Sequence, residues 1–365
     1  MVVLNSLLGF LLMLGPLVML HELGHYLVGR WCGVHAEAFS VGFGKEIFGW
    51  TDRRGTRWKI SWLPLGGYVK FAGDMNAASM PIDEIPLSLA ERERSFQFKP
   101  LWQRAAIVAA GPVTNLLIAL VIFAGFNMAF GLPVAEPVID AFVGQSAAQA
   151  SGLKLGDRIL SVDGDEISRF SQVTRHVLLY PGQTIAMTIE RGGARMVVPV
   201  KIGSYAPSGA DPRAGKMGFL GIEGRHVTVY RDPYHAVTGA FRQCGNIVET
   251  TVAGLRQIIF GQRSVRELGG PVKIAGVAGQ ALSLGWLPFV EMAAFISINL
   301  AFINLLPIPA LDGGHLAFYL VEAVRRKALT ARSQEWAFRT GLAFLLALIV
   351  FVTINDVVPA SLFGS

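Results

Sequence analysis

The chain has 365 residues, 52% of them hydrophobic and only 16% charged, which is too apolar for an ordinary soluble enzyme and too charged for membrane helices alone. Its net charge of +6 suits basic loops beside a membrane, and no basic run with interleaved aromatics points to nucleic acid. Two cysteines, Cys32 and Cys244, exclude both a disulfide framework and a cysteine-rich zinc site.

Everything from Val2 to Leu20 is apolar or uncharged, long enough to cross a hydrocarbon core of about 30 Å. No Lys or Arg precedes Arg30, so the charged start of a signal peptide is missing and the segment reads as a retained first span, residues 1–30. It ends in Leu20-His21-Glu22-Leu23-Gly24-His25, an H-E-x-x-H motif. On a helix His21 and His25 share a face and can hold one Zn²⁺, while Glu22 stands beside them as a base for a water. An ionisable cluster at membrane depth is costly, which favours function over two solvated histidines.

Residues 31–104 form a polar, glycine-rich cytoplasmic segment. Ala36 to Gly73 alternates as strands do, with Asp52-Arg53-Arg54-Gly55 as a turn and Trp50, Trp58, Trp62 and Tyr68 as rings suited to headgroup level. A membrane-associated β-element is expected there, followed by a mobile polar loop from Asn76 to Lys99. The second span, 105–130, holds Gly111-Pro112-Val113-Thr114-Asn115; the Gly-Pro step kinks a helix or admits a neighbouring backbone, and Asn115 needs a partner. Packing and a donor near the reacting oxygen both account for Asn115.

Residues 131–228 read as one soluble α+β domain. Gly152-Leu153-Lys154-Leu155-Gly156-Asp157-Arg158-Ile159-Leu160-Ser161-Val162-Asp163-Gly164 alternates turns with a β-branched strand and resembles a bacterial PDZ domain, a fold that binds extended peptides at a sheet edge. The string occurs once, so a single domain is expected, with a return strand around Phe219 to Ile222. Residues 229–284 are expected to lie on the membrane surface as amphipathic helices, opened by Asp232-Pro233.

The third span, 285–318, carries Asn299 and Asn304 and ends in Leu306-Pro307-Ile308-Pro309-Ala310-Leu311-Asp312-Gly313-Gly314-His315. Such irregular backbone at membrane depth must face protein or a wet cavity, so Asp312 points inward and is the natural third ligand, with His315 as its rival. A basic loop (319–335) and a fourth span (336–358) complete the chain. Eleven basic residues from Arg30 to Arg104 and five from Arg325 to Arg339 place both segments in the cytoplasm, and the PDZ-like domain and both termini outside.

Together these motifs resemble the site-2 protease family of intramembrane zinc metalloproteases, here with one PDZ domain. The resemblance implies a multi-pass protein of the bacterial inner membrane that cuts transmembrane segments, such as those of anti-sigma factors, and remnant signal peptides. It implies His21, His25 and Asp312 as zinc ligands and Glu22 as the base. It also implies that the β-element around Gly67, Tyr68 and Val69 pairs with the unwound substrate and that Asn299 and Asn304 line its path. Relatives with two tandem PDZ domains differ from this chain on that point. A membrane-anchored PDZ scaffold with a structural or vestigial metal site is the alternative reading; a closed site of four protein ligands would favour it.

Overall fold

The computed structural model describes residues 2–73, 88–144, 146–178, 180–205, 217–229, 232–261, 265, 269–327 and 330–357. In chain order, helix α1 (Val2–Trp31) leads into strands β1 (Ala36–Thr51) and β2 (Arg57–Phe71), helix α2 (Leu89–Arg94) and helix α3 (Leu101–Phe130). Next come β3 (Leu132–Phe142), α4 (Ala147–Ala150), β4 (Arg158–Val162), β5 (Asp165–Glu166), α5 (Phe170–Leu178), β6 (Thr184–Arg191), β7 (Ala194–Lys201), β8 (Gly203–Tyr205), β9 (Met217–Phe219) and β10 (Ile222–Val229). Helices α6 (Pro233–Ile259), α7 (Pro271–Leu284), α8 (Trp286–Asn304), α9 (Asp312–Arg325) and α10 (Ala331–Val357) complete the described chain.

Among the described residues, four helices are long and apolar enough to cross a membrane: α1, α3, α8 and α10. Two compact units form, one from Met1–Phe123, Phe241–Thr251 and Leu268–Ser365, the other from Ala124–Ala240 and Val252–Glu267.

In the first unit, α7 packs directly on α1, closing a core of Met13, Leu17, Ala278, Ala281 and Phe289. This differs from a surface-lying amphipathic helix, and small residues are the reason. A Cβ on Gly279 would lie 2.5 Å from Cα of Ser6, and one on Gly9 would lie 2.7 Å from the carbonyl carbon of Ala278, so the two backbones are nearly in contact. At the far end of α7, the Asp356 carboxylate of α10 accepts from the N–H groups of Gly270 (3.2 Å) and Lys273 (2.9 Å), capping the helix.

Strands β1 and β2 curl into four lanes. Residues 38–41 pair on one side with 57–60 and on the other with 67–70, while 46–51 continue along 57–61. Among the described residues the lane 67–71 is therefore an edge, with residues 36–41 beside it in the sheet. Phe39, Phe71, Val34 and Ala36 bury against Tyr26 of α1 and Ile107 of α3, so the curl is fixed to those helices. Trp50 and Trp62 are exposed, but Trp58 packs inward on Phe39 and Tyr26 and donates its indole N–H to Asp52 (3.0 Å). The curl turns residue 58 toward the helices, which strict alternation along a flat hairpin does not reveal.

The expected mobile loop is only partly described. Residues 76–87 lie outside the described residues, but 89–94 form α2, whose first turn carries a capping box between Ser88 and Glu91, followed by a 3-10 turn at Phe96–Phe98.

The second unit contains a six-stranded sheet in the order β10-β3-β4-β6-β7, with β5 paired to β4. Its core is Ile139, Ile159, Val162, Val173, Met187, Ile189, Val200 and their neighbours. The aspartate of the turn string ties that turn to strand β6. Asp157 is fully buried, accepts from the Lys154 N–H (2.8 Å), and takes a bidentate fork from Arg191 at 2.7 Å on each oxygen. Where one return strand was expected, the chain makes two. Strand β9 pairs with β8, and after a bend at Gly221 strand β10 runs along β3.

Candidate metal centre

Helix α1 puts His21 and His25 one turn apart on a single face, and their Nε2 atoms are 3.2 Å apart. Asp312 is the first residue of α9, brought in by the Leu306–Leu311 segment that prolines 307 and 309 keep out of the helix. Its Oδ2 lies 3.2 Å from Nε2 of His21 and 3.6 Å from Nε2 of His25. A tetrahedral Zn²⁺ at about 2.0–2.1 Å from each ligand atom would set those atoms roughly 3.3 Å apart, so the three positions fit one such ion. Two imidazoles and a carboxylate, with no fourth ligand among the described residues, match a catalytic rather than a structural donor set. His315 is outside the group of ligand atoms that converge here.

Each imidazole is held from behind. Nδ1 of His25 donates to the carbonyl of Ile107 at 2.8 Å, leaving Nε2 bare to face the centre. Nδ1 of His21 meets the carboxamide of Asn115 at 3.2 Å, and the Asn115 oxygen has no other partner although it is buried. Turning that amide over, a choice that hydrogen bonding decides, gives the oxygen the Nδ1–H of His21 and satisfies both groups. Asn115 thus sits behind His21, and its own carbonyl accepts from Ser297 of α8 at 2.7 Å. Helix α3 comes this close because of the glycine in its Gly-Pro step: a Cβ on Gly111 would collide with Nε2 of His25 and lie 2.6 Å from Nε2 of His21.

The remaining residues of interest are placed as follows. Glu22 lies against β2, where a Cβ on Gly67 would come 3.3 Å from Cγ of Glu22. Tyr68 stacks on Phe43, with Lys59 Nζ 5.0 Å from its ring centre. Asn299 accepts from the Thr251 hydroxyl at 3.1 Å and donates to the Phe295 carbonyl at 2.9 Å, while Asn304 closes α8. Arg104 of α3 pairs with Glu322 at 2.7 Å and lies over Tyr319, tying α3 to the helix that begins at Asp312. The Ile107 carbonyl is a backbone group that no residue pattern marks. Gly111 was visible as a possible close approach, without its target.

Comparison with known proteins adds to this geometry. The sequence model of peptidase family M50 matches residues 9–348. A protein of Agrobacterium fabrum whose name places it among zinc metalloproteases is 41% identical, over 97% of this chain and 96% of its own length. A zinc metalloprotease by name from Rhizobium meliloti is 44% identical over 95% of each chain. Metalloprotease MmpA of Caulobacter vibrioides is 34% identical over 95% of this chain and 96% of its own. Among solved structures, a PDZ domain of an SdrC-like protein from Listeria monocytogenes covers 24% of this chain and 85% of its own at 18% identity, with a TM-score of 0.20.

Proposed function

Because this chain belongs to peptidase family M50, the site-2 proteases, we propose that it is a zinc metalloprotease that hydrolyses peptide bonds inside the transmembrane segments of other membrane proteins. The observation that carries the reading is the convergence of His21, His25 and Asp312 at the end of an apolar helix, with Glu22 adjacent. His21, His25 and Asp312 would hold Zn²⁺, with Asn115 and the Ile107 carbonyl fixing the imidazole tautomers, and the bound ion would supply acidification of a water and polarisation of the scissile carbonyl. Glu22 takes the proton from the attacking water and passes it to the leaving nitrogen.

A peptide bond in a membrane helix is shielded by its own hydrogen bonds and by lipid, so the segment must straighten before it reacts. The edge lane 67–71 offers replacement hydrogen bonds for a straightened segment, with Gly67, Tyr68 and Val69 at the contact. Asn299 and Asn304 supply carboxamides along its path. The substrates are single spans of the anti-sigma-factor or remnant signal-peptide type. The exposed aromatics of the curl meet lipid, the site lies near the cytoplasmic face of the inner membrane, and the β-rich domain and both termini lie outside. That domain acts as a PDZ module and takes a peptide at a sheet edge.

The test is cleavage of a single-span protein by the purified chain in a bilayer, with the new terminus located by mass spectrometry. A cut within the apolar span supports the reading; cuts confined to the water-exposed flanks contradict it.

A further inference from the structure

Helix α8 carries one acidic residue, Glu291, inside an otherwise uncharged run. It lies about 8 Å along the helix from Trp286, an exposed ring of the kind found at headgroup level. A carboxylate below that level is costly and marks a functional position with a partner to be named. Among the described residues Glu291 is exposed and makes no hydrogen bond or ion pair. It lines a cavity of about 530 Å³ in the first unit, together with Val277 and Gln280 of α7, Asn246 of α6, and Met292 and Phe295 of α8. No Lys or Arg is among the described residues that line it. A second hollow of about 230 Å³ shares Asn246, Ile247 and Phe295 with the first and adds Thr250 and Thr251. Thr251 in turn donates to Asn299 at 3.1 Å. Glu291, Phe295 and Asn299 are spaced four apart and share one face of α8. A single groove therefore runs from the carboxylate toward the end of α8 from which Leu306–Leu311 carries the chain to Asp312.

We propose that Glu291 is a specificity-determining residue, binding a Lys or Arg side chain on the flank of a single-span substrate laid along this groove. This rests on the chain cutting single spans. A groove with apolar walls, carboxamides and one unpaired anion complements a segment of matching make-up, apolar with one cation. The aliphatic stem of the basic residue packs along Val277 and Met292 while its charged head reaches the carboxylate. The stretch of α8 from Glu291 to Asn304 is about 20 Å long, so the basic residue sits that far from the segment beside Asn304, on the outer flank in the orientation proposed above. Lys and Arg concentrate on the cytoplasmic side of membrane proteins, so a requirement for one on the outer flank admits few spans. The contact is remote from the reacting bond and is the same before and during reaction, so it lowers KM and leaves kcat unchanged.

The test is a charge swap with the full-length protein in a phosphatidylglycerol bilayer. The substrates are single-span proteins that differ only in one Lys, Gln or Glu placed at successive positions of the outer flank. At the position that meets Glu291, the Lys substrate is expected to show a KM about 3–10-fold below that of the Glu substrate, with kcat within about twofold. Glu291→Gln is expected to erase that preference and Glu291→Lys to invert it, both with zinc content equal to the parent. A series with no charge preference at any position overturns the proposal, and so does a preference that survives in Glu291→Gln. If Glu291→Gln is impaired equally on all substrates, and only when phosphatidylethanolamine is added, the carboxylate meets a lipid ammonium and the proposal fails. Loss of zinc in Glu291→Gln would make the residue structural, with the same consequence. Failure of the underlying reading looks different and ends both: the parent chain cuts none of the spans.

Discussion

Asn115 on α3 and His21 on α1 meet 3.2 Å apart, amide against imidazole, inside a region where neither has water to turn to. The contact makes α3 part of the candidate metal centre without adding to its three converging side chains. Partners of this kind fix the tautomer and orientation of a ligating histidine, and losing one typically lowers metal affinity about 10–100-fold. Asn115→Leu is therefore expected to weaken zinc binding by that order, measured by competition with a chelator. Asn115→Asp, which keeps an acceptor on Nδ1, is expected to retain most of it.

Gly111→Ala isolates a steric requirement. In an exposed helix this change would stabilise by about 1 kcal/mol. Here the added methyl would run into the Nε2 edges of both imidazoles. The expected outcome is a helix content equal to the parent by circular dichroism together with zinc well below one per chain.

The β-rich domain carries a pH dependence of its own. Burial by itself would raise the Asp157 carboxyl, but the Arg191 fork and the Lys154 N–H outweigh it and hold it below the usual carboxylate range. A depressed folded value means the stabilisation is complete above the unfolded pKa of about 3.9 and is lost as pH falls through the lower, folded one. The hydrogen-exchange protection factors of the β4 and β6 amides in the intact protein, corrected for the intrinsic pH dependence of exchange, are expected to be constant near neutrality and to fall only in strong acid. Arg191→Leu leaves a buried carboxylate without its cation, at a cost of about 3 kcal/mol or somewhat less because the guanidinium is partly exposed. In that variant the same amides are expected to exchange faster at neutral pH.

Gly279→Val tests the contact between α7 and α1. With Ser6 backbone atoms already against Gly279, extra carbons must push the helices apart, and overpacking of this kind costs about 1–3 kcal/mol. A lower thermal midpoint in detergent is expected, while Gly276→Val, at a glycine with open space around it, is expected to change it little.

How much of this was legible depends on the physics of each element. The four apolar helices could be read from hydropathy, because lipid demands long apolar runs. That His21, His25 and Asp312 come together followed from helical spacing and from an acid stranded in proline-broken backbone. Helix α2 carried its own signal, Ser88 three residues before Glu91, but its polar composition masked it. The inward turn of Trp58 depends on the curl of β1 and β2, a long-range pairing that alternation cannot encode. Helix α7 hides its docking in Ala278, Gly279 and Ala281, which lower apparent amphipathicity while permitting the close approach. Backbone partners such as the Ile107 carbonyl leave no mark on a sequence.

The most direct measurement is zinc content and cleavage of one single-span substrate, compared between the parent chain and Glu22→Gln. One zinc per chain in both, with cleavage only in the parent, is the predicted result. Cleavage by Glu22→Gln at a rate near the parent's, or a parent chain that binds no zinc, would contradict the account.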